Sequence, residues 1–328
     1  MLRVGVVGLG VGERHIHGFN GSPYATVTRI CDINPRKLAD VADRSGISDV
    51  TTNAEDILLD PEIDVVSIAS FDEYHAKQIV MALDAGKHVF VEKPLCLTEM
   101  ELDEICEAYA HAKIRGENLY VSSNFILRRE LRFMKLKKNI ELGKLGDIYA
   151  VEGSYDYGRV SKLIDGWRAQ TPKYSVMHGG GIHILDFFKW LTGYNFLPHA
   201  ALANKTVTLG TKFRPYDHIL SIGKFGDEIL GKISANFGSQ TAHFHQIKVY
   251  GTKGSFIHDC GVSTYFFGSE PNVLREIEND PFPSSNKGDL LPEFISAIIH
   301  NTSLDIDFEH VESIMRASIA VDTLACRE

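Results

Sequence analysis

Short apolar runs alternate with amphipathic segments along the first 122 residues of the chain. The apolar runs predict buried strands at residues 3–7, 25–31, 64–70, 87–91 and 118–122. The segments between them carry apolar residues at helical spacing, and Thr98 stands where the longest of these helices begins. Strands that alternate with helices in this way are typical of a doubly wound parallel sheet.

From residue 123 onwards the pattern changes. Helices are predicted near both ends of this region, at residues 127–142, 291–300 and 310–324. Between them lie strand-like runs at residues 148–157, 200–209, 218–225, 229–237, 244–250 and 263–267. Several of these runs are joined by short turns, which is typical of antiparallel strands. We therefore predict an α/β protein with two domains, at residues 1–122 and 123–328.

The composition narrows the class of protein. With 328 residues the chain has room for two domains, and its net charge of −9 disfavours a general affinity for nucleic acid or anionic membranes. No apolar run has membrane-spanning length, and the chain enters its first strand at once, so we expect a cytoplasmic protein. The five cysteines are scattered without a C-x-x-C pair, which argues against a disulfide framework or a structural zinc site.

A glycine-rich turn follows the first predicted strand. Gly8, Gly10, Val11 and Gly12 lie between this strand and a helix, an arrangement that cradles the pyrophosphate of a dinucleotide. The first glycine permits a tight turn, the second lets the backbone approach the phosphates, and the helix start supplies N–H groups. The third glycine of G-x-G-x-x-G would fall at Glu13, so we expect the helix to pack on the strand in a slightly different way.

Asp32 ends the second predicted strand, 24 residues after Gly8. An acidic side chain at this position can accept hydrogen bonds from the adenosine ribose and would repel a 2′-phosphate. The sequence therefore favours NAD over NADP. Arg36 could pair with a phosphate, but its place at the start of the next helix favours a solvated helix face.

The predicted strand at residues 87–91 runs into Glu92-Lys93-Pro94. In a parallel sheet this places the ammonium group of Lys93 at the carboxyl edge, where open α/β folds bind their ligands. A lysine there can accept a hydroxyl proton if partial burial and a nearby cationic nicotinamide lower its pKa. We predict that Lys93 is the acid/base of a hydride transfer; the alternative is a surface lysine after an ordinary strand.

A second candidate lies between Gly179 and Asp186. His183 and Asp186 are three residues apart, hence neighbours on one face of a predicted helix. A histidine at a helix start can donate a proton or hydrogen-bond a substrate hydroxyl, and the alternative is a core histidine paired to Asp186. We predict that His183 is catalytic and that both residues bind substrate. His178 is a further candidate, with an ordinary loop histidine as the alternative.

Other residues leave two interpretations open. Trp167 and Arg168 could stack on a sugar ring and hydrogen-bond it, or form a packing contact beside a solvated arginine. Histidine pairs at positions 15/17 and 243/245 suggest metal ligands, but each lacks a nearby third ligand. We therefore predict no metal site.

Seven motifs occur in order along nearly the whole chain. They are VGVVGLGVGERH (4–15), IASFDEYH (68–75), VEKP (91–94), SNF (123–125), WR (167–168), GGGIHILDFFKWLTG (179–193) and VYGTKGSF (249–256). With them the chain resembles the glucose-fructose oxidoreductase, inositol dehydrogenase and MocA family of NAD(P)-dependent dehydrogenases. The resemblance implies a Rossmann domain followed by an α/β domain with a large open, mainly antiparallel sheet. It also implies a homo-oligomer, a dimer or tetramer, because the free face of that sheet often supports assembly.

The resemblance assigns further residues to the cofactor. It implies that Lys93 contacts both the nicotinamide region and the reacting oxygen, and that the Lys93–Pro94 bond is cis. Asn124 is expected near the nicotinamide, although an asparagine after a strand could be a turn residue. Ser70, His75 and Glu92 are expected on the cofactor side, although His75 could instead cap its helix.

On the substrate side the resemblance places His183 in the pocket. Many relatives carry an aspartate four residues before this histidine, where this chain has Gly179. The usual lysine, aspartate and histidine set is therefore incomplete. His178 could substitute for the aspartate, which leaves Lys93 and His183 as the acid/base pair.

Together these features predict an NAD-dependent oxidoreductase. It would transfer hydride between nicotinamide and a secondary alcohol or ketone carbon of a sugar, cyclitol or sugar nucleotide. Two alternatives remain open. One is a non-catalytic protein that senses NAD or sugars on the same fold, and the other is an enzyme that uses tightly bound NAD transiently for epimerisation or elimination.

Overall fold

A computed structural model describes residues 1–171, 173–268 and 274–326. The chain forms two compact units. The first combines Met1–Ile126 with Asn286–Glu312, and the second combines Leu127–Ser285 with Ser313–Glu328. The domain boundary expected after residue 122 stays a prediction. The first compact unit differs from the expected first domain because it also contains residues 286–312.

A six-stranded parallel sheet forms the centre of the first unit. Its strands are β1 (Leu2–Val7), β2 (Ala25–Cys31), β3 (Val50–Thr51), β4 (Val65–Ile68), β5 (His88–Val91) and β6 (Val121–Ser123). They lie in the order β3-β2-β1-β4-β5-β6. This order confirms the predicted doubly wound sheet, and its reversal between β1 and β4 marks the edge where such sheets bind ligands.

Helices flank this sheet along the chain. They are α1 (Gly12–Asn20), α2 (Pro35–Ser45), α3 (Glu55–Leu58), α4 (Asp72–Asp84) and α5 (Glu99–Ile114). As predicted, Thr98 caps α5: its Oγ1 accepts the Glu101 N–H at 3.2 Å, and Glu101 accepts the Thr98 N–H at 3.1 Å. This reciprocal capping supplies partners for amide groups that a helix leaves unbonded at its start.

An eight-stranded sheet forms the centre of the second unit. Its strands are β7 (Ile148–Asp156), β8 (Phe196–Asn204), β9 (His218–Phe225), β10 (Ile229–Asn236), β11 (Phe244–Gly251), β12 (Ser255–Asp259), β13 (Val262–Phe267) and β14 (Leu274–Glu278). They lie in the order β14-β13-β12-β11-β7-β10-β9-β8. β7 and β10 are parallel and the other neighbours are antiparallel, which confirms the large, mainly antiparallel sheet.

The remaining helices are α6 (Leu131–Glu141), α7 (Ser161–Ile164), α8 (Ile182–Thr192), α9 (Leu291–His300) and α10 (Phe308–Ala325). Of these, α9 belongs to the first unit. A search of the helices in the described ranges finds none with both the length and the apolar character needed to span a bilayer.

Three strands of the second unit differ from the sequence prediction. The run expected at 200–209 is β8, which begins four residues earlier at Phe196. β8 is an edge strand with mostly exposed side chains and contains Pro198, so its apolar alternation is weak. The apolar pattern does not predict β12 or β14; β14 is exposed at four of its five positions.

Candidate active site

The glycine turn after β1 is fixed by close backbone packing. Gly8 has φ +84°, and a Cβ there would lie 2.4 Å from the carbonyl oxygen of Ala69 at the end of β4. Its N–H donates to the carbonyl of Cys31 at 2.8 Å. Gly10 is exposed, and the nearest atom to a Cβ there is the Nζ of Lys37 at 3.6 Å. The turn is therefore tight on the sheet side and open on the other.

Gly12 explains the unusual spacing of the glycines. It is the first residue of α1, and a Cβ there would lie 2.9 Å from Val6 Cγ1 and 3.3 Å from the Cβ of Ala69. Gly12 thus allows the close approach of helix and strand that the third glycine of the motif normally allows. Glu13 then points elsewhere, with Arg44 donating to its carboxylate at 2.8 Å.

Asp32 ties the glycine turn to the end of β2. It is buried, and its Oδ2 accepts the N–H of Leu9 at 2.8 Å while its Oδ1 accepts the N–H of Asn34 at 2.9 Å. The Nζ of Lys37 lies 3.7 Å from Oδ2. A carboxylate has about four acceptor positions, so Asp32 keeps the capacity to bond a ribose hydroxyl. That role stays a prediction.

A buried polar network lies behind the carboxyl ends of β4, β5 and β6. His15 Nε2 lies 3.2 Å from Glu92 Oε1, and His15 Nδ1 lies 2.8 Å from Ser67 Oγ. Asn124 Nδ2 donates to the same Glu92 oxygen at 2.7 Å and to the carbonyl of Lys287 at 2.9 Å. We call these residues, His15, Ser67, Glu92 and Asn124, the Glu92 network.

The network keeps Glu92 ionised. Burial by itself raises the pKa of this carboxyl, but the hydrogen bond from His15, the positive charge of Lys287 and the bond from Asn124 outweigh it and lower the pKa to about 2. An ionised Glu92 can only accept, so it takes the Nε2 proton of His15, while Nδ1 of the same ring lies beside the hydroxyl group of Ser67. The imidazole is thereby held in one orientation.

The segment that carries Lys287 reaches the network from late in the chain. Gly288 packs against α1 so closely that a Cβ on Gly18 would lie 2.6 Å from the Gly288 carbonyl oxygen. Glycine at both positions therefore lets the two backbones touch. This contact sets the Lys287 carbonyl where Asn124 can reach it.

Lys93 occupies a turn that His75 holds. The side chain of Lys93 is half-buried, and the Lys93–Pro94 bond is cis, as the resemblance implied. His75 is fully buried, with Nδ1 2.7 Å from the carbonyl oxygen of Pro94 and Nε2 3.2 Å from that of Ser70. A neutral imidazole donates to one of these carbonyls at a time. His75 thus links the turn after Lys93 to the end of β4, and its contact with a cofactor stays a prediction.

In the second unit, His183 packs on aromatic rings. One π-helical turn, Met177–Gly181, leads into α8 and places His183 in its first turn. The imidazole is buried and stacks on Tyr155, with ring centroids 5.8 Å apart and planes 17° apart. His243 and His245 meet the same tyrosine ring edge-on, each at 5.0 Å.

Tyr174 occupies the space beside Gly179. A Cβ on Gly179 would lie 2.0 Å from the hydroxyl oxygen of Tyr174. Arg168 Nε donates to this hydroxyl at 3.1 Å. The neighbouring His178 is buried, with Nδ1 2.7 Å from Ser318 Oγ on α10. A phenol, rather than His178, therefore fills the room that a side chain at position 179 would need.

Asp186 is part of a buried ion pair. Arg128 Nη2 lies 2.6 Å from its Oδ1 and Arg128 Nε lies 3.1 Å from its Oδ2, a bidentate geometry. Both side chains are at most 6% exposed. The expected roles of Asp186, His178 and His183 in substrate binding stay predictions.

Trp167 and Arg168 lie in one short 3₁₀ turn, Trp167–Gln170. The Arg168 guanidinium carbon lies 4.5 Å from the centre of the Trp167 ring, and that ring meets Tyr174 edge-on at 5.9 Å. The tryptophan therefore makes the packing contact of the second interpretation and carries the arginine on its ring face. The role of both residues in substrate binding stays a prediction. Within the ranges that the structure covers, no three His, Cys, Asp or Glu side chains are grouped as metal ligands.

Each unit gathers its own set of predicted residues. The first brings the glycine turn, Asp32, Ser70, His75 and Lys93 to the carboxyl edge of its sheet. The sequence pattern does not single out several residues that take part in these contacts, among them Ser67, Arg128, Tyr155, Tyr174 and Lys287, or Tyr157, which stacks on Tyr155. A signal existed for two of them, since the aromatic residues at 155 and 157 are spaced to share one face of a strand.

Comparison with known proteins agrees with this geometry. Residues 2–122 match the model of an oxidoreductase family with an NAD-binding Rossmann fold, and residues 133–257 match the C-terminal domain of the same family. The chain belongs to the Gfo/Idh/MocA family. It is therefore an oxidoreductase with an NAD-binding domain, which confirms the resemblance and the cofactor predicted from sequence.

Several Gfo/Idh/MocA relatives are dehydrogenases of sugars or cyclitols by name. The levoglucosan dehydrogenase of Pseudarthrobacter phenanthrenivorans is 26% identical over 295 residues, covering 78% of this chain and 73% of the relative. The myo-inositol 2-dehydrogenase of Thermotoga maritima is 24% identical, covering 79% and 75%. A solved structure of a levoglucosan dehydrogenase with NADH and levoglucosan has the same fold, with a TM-score of 0.84, 22% identity and coverage of 99% and 97%.

The family's cofactor fits the residues of the first unit. The N-terminus of α1 has no side-chain cap, so its amide groups are available to a pyrophosphate beside the open face of Gly10. Among the described residues, none donates a hydrogen bond to the buried Oδ1 of Asn124. A carboxamide N–H of nicotinamide would supply that missing donor. These residues, with Asp32, would hold NAD.

Proposed function

We propose that the protein catalyses NAD(H)-dependent hydride transfer at a secondary alcohol or ketone carbon of a sugar, cyclitol or sugar nucleotide. The observation that carries this proposal is the place of Lys93, in a turn held by His75 at the carboxyl edge of β5. The names of the levoglucosan and myo-inositol dehydrogenases support the substrate class.

NAD is proposed in preference to NADP. The carboxylate of Asp32 lies at the end of β2, where it would meet a 2′-phosphate with like charge. Lys37 offsets part of that charge at 3.7 Å, but Asp32 is the more buried of the two. When bound, NAD accepts or donates hydride at the nicotinamide ring.

The proposed proton transfer uses two residues. Lys93 accepts the substrate hydroxyl proton as hydride leaves carbon, and returns it in the reverse direction. His183, in the first turn of α8, assists as a hydrogen-bond partner or proton donor. The Glu92 network acts behind Lys93: its ionised carboxylate orients Asn124, whose Oδ1 would receive the nicotinamide amide.

The test is NADH absorbance with a panel of sugars, sugar acids and cyclitols, on the wild type and on Lys93→Met. Lys113→Met is a matched control, because Lys113 is an exposed lysine of the same unit that pairs with Glu309. Turnover that Lys93→Met abolishes and Lys113→Met keeps supports the proposal. NAD binding without turnover would instead support a non-catalytic sensor of NAD or sugars. Purified protein that already holds NAD but does not reduce added NAD would support an enzyme that uses its cofactor transiently.

We also propose that the enzyme works in the cytoplasm as a homodimer or homotetramer. The free face of the second sheet supports assembly, since it carries exposed apolar side chains on three neighbouring strands: Leu202, Ile222 and Leu230. Light scattering of the purified protein measures the oligomeric state, and a monomeric mass would contradict it.

A further inference from the structure

A cavity of about 450 Å³ lies in the second unit, apart from the residues predicted to bind substrate. Three segments form its walls: residues 173–176, residues 214–219, and the end of α10 at Asp322 and Cys326. Among the described residues, His183 is not part of its lining. Small-molecule sites usually have volumes of about 300–1,000 Å³. The cavity is therefore large enough for a small organic molecule.

Ring packing brings the first two walls together. Tyr174 and Phe213 meet edge-on with their ring centroids 5.9 Å apart, and both rings are buried. An exposed cation adjoins each ring in the sequence, Lys173 before Tyr174 and Arg214 after Phe213. Because the two rings are in contact, the two cations leave the core on neighbouring segments, and both line the cavity.

Hydrogen bonds hold these walls in place. Ser175 Oγ donates to Asp322 Oδ1 of α10 at 2.6 Å and accepts the N–H of Met177 at 3.1 Å. On the other wall, the ammonium group of Lys205 donates to the carbonyl of Arg214 at 3.0 Å. The protein's own contacts therefore form the cavity before a ligand enters, as is usual for small-molecule sites.

The side chains of the cavity carry a net positive charge. Neither Lys173 nor Arg214 forms an ion pair with a carboxylate of the described residues. Asp322 is the one carboxylate in the described lining, and burial together with its charge raises the pKa of the Cys326 thiol, which therefore stays neutral. Asp217, next to the cavity in sequence, is buried and takes three hydrogen bonds from its own loop.

The two cations favour a phosphate group. A guanidinium binds phosphate with two parallel hydrogen bonds, and an ammonium binds it as a point charge. A phosphate monoester carries a charge of about −1.5 to −2 and has three terminal oxygens, enough for both Lys173 and Arg214. A carboxylate has one charge and two oxygens for the same two partners.

The remaining lining favours an organic ester over a bare ion. Asp322 has a second carboxylate oxygen that can accept a bond from a ligand hydroxyl. The half-buried Pro215 and Tyr216 offer carbon surface beside the cations. We propose that this cavity binds a phosphate monoester of a small hydroxylated molecule, such as a sugar phosphate, whose phosphate contacts Lys173 and Arg214. This site is additional to the proposed function, so binding alone tests it.

Titration calorimetry with D-glucose 6-phosphate is the test. Saturating NADH is present throughout, so that the phosphate-binding turn of the first unit is already occupied. The ester should bind, inorganic phosphate should bind more weakly, and D-glucose should not bind at this site. Arg214→Gln and Lys173→Gln should each raise the Kd of the ester about 10- to 100-fold, the usual effect of losing one charge-assisted hydrogen bond.

Lys212→Gln is the matched control. Lys212 is an exposed lysine of the segment that carries Arg214, and it is not part of the described lining. Its replacement removes the same charge and should leave the Kd unchanged. An equal effect of all three variants would mean general attraction of anions and would overturn the inference.

Three further results would also overturn it. The first is the absence of saturable binding of the ester. The second is binding that neither Arg214→Gln nor Lys173→Gln weakens, which would place the ester elsewhere on the protein. The third is inorganic phosphate or D-glucose that binds as tightly as the ester. Because none of these measurements requires turnover, failure of the proposed function would leave them interpretable.

Discussion

The Glu92 network and the aromatic face formed by Tyr155, Tyr157 and Phe237 are held together by different forces. In the network, contacts of 2.7–3.2 Å connect polar groups from four separate segments of the chain, and each bond has a direction. On the aromatic face, ring centroids lie 4.8–6.1 Å apart. Directional bonds fix the positions of individual atoms, whereas ring packing mainly keeps apolar surface area buried. The network therefore tolerates little displacement of its atoms, whereas the rings can shift while they stay in contact.

The largest expected effect falls on the first region. Lys93→Met should lower kcat by about 10²- to 10⁴-fold, the usual contribution of a positioned acid/base. Affinity for NADH, measured by its fluorescence, should change little because the glycine turn and Asp32 are untouched. A loss of NADH affinity as large as the loss of kcat would mean that Lys93 binds the cofactor rather than moving a proton.

The next effect falls on the buried ion pair of Arg128 and Asp186, a directional contact of the second unit outside the aromatic face. Asp186→Asn leaves Arg128 as a buried charge without its carboxylate, so it should reduce the free energy of unfolding by about 3–5 kcal/mol. Denaturant unfolding measures this change. Glu141→Gln, at an exposed pair with Lys137, is the control and should leave the unfolding midpoint nearly unchanged. Equal effects of the two variants would contradict a structural role for Asp186.

A pH titration separates the network from the aromatic face. The folded pKa of Glu92 is lowered from 4.5 to about 2, so its contribution to stability is complete above pH 4.5 and is lost as pH falls towards 2. A shift of this size corresponds to roughly 3 kcal/mol. The difference in unfolding free energy between wild type and Glu92→Gln should therefore shrink over that interval. A difference that stays constant from pH 7 to pH 3 would rule out the ionised network.

The smallest effect is expected on the aromatic face. Tyr157→Phe keeps the ring that stacks on Tyr155 and Phe237, so the free energy of unfolding should change by less than about 0.5 kcal/mol. Tyr157→Ala removes the ring and should cost about 3–5 kcal/mol, as truncation of buried aromatic residues does. If Tyr157→Phe were as damaging as Tyr157→Ala, the hydroxyl group and not ring packing would hold this region.

The sequence predicts most of the first region because its signals are local. β2 is found where the apolar run predicts it, at Ala25–Cys31, and the capping of α5 by Thr98 follows from residues three apart. The glycine turn is likewise contained within five residues. Short-range patterns of this kind depend on backbone geometry, which neighbouring residues determine.

What the sequence does not reveal depends on contacts between distant residues. His15 meets Glu92 across 77 positions, and Asn124 meets Lys287 across 163. Gly179 shows that a side chain is missing, but only the folded chain brings Tyr174 into that space. The parallel pairing of β7 with β10 cannot be predicted for the same reason. β8 and β9 separate these two strands in the sequence, and nothing in those strands indicates the pairing.

The contact of Gly288 with Gly18 also governs when the first unit is finished during synthesis. A nascent chain that has released its first 126 residues already holds the glycine turn and Lys93. The carbonyl that completes the bonding of Asn124 arrives 161 residues later, with Lys287. Every strand of the second sheet has been made before Lys287 appears, because β14 ends at Glu278. A chain that stops earlier therefore has the glycine turn and Lys93, but its Asn124 lacks the carbonyl of Lys287.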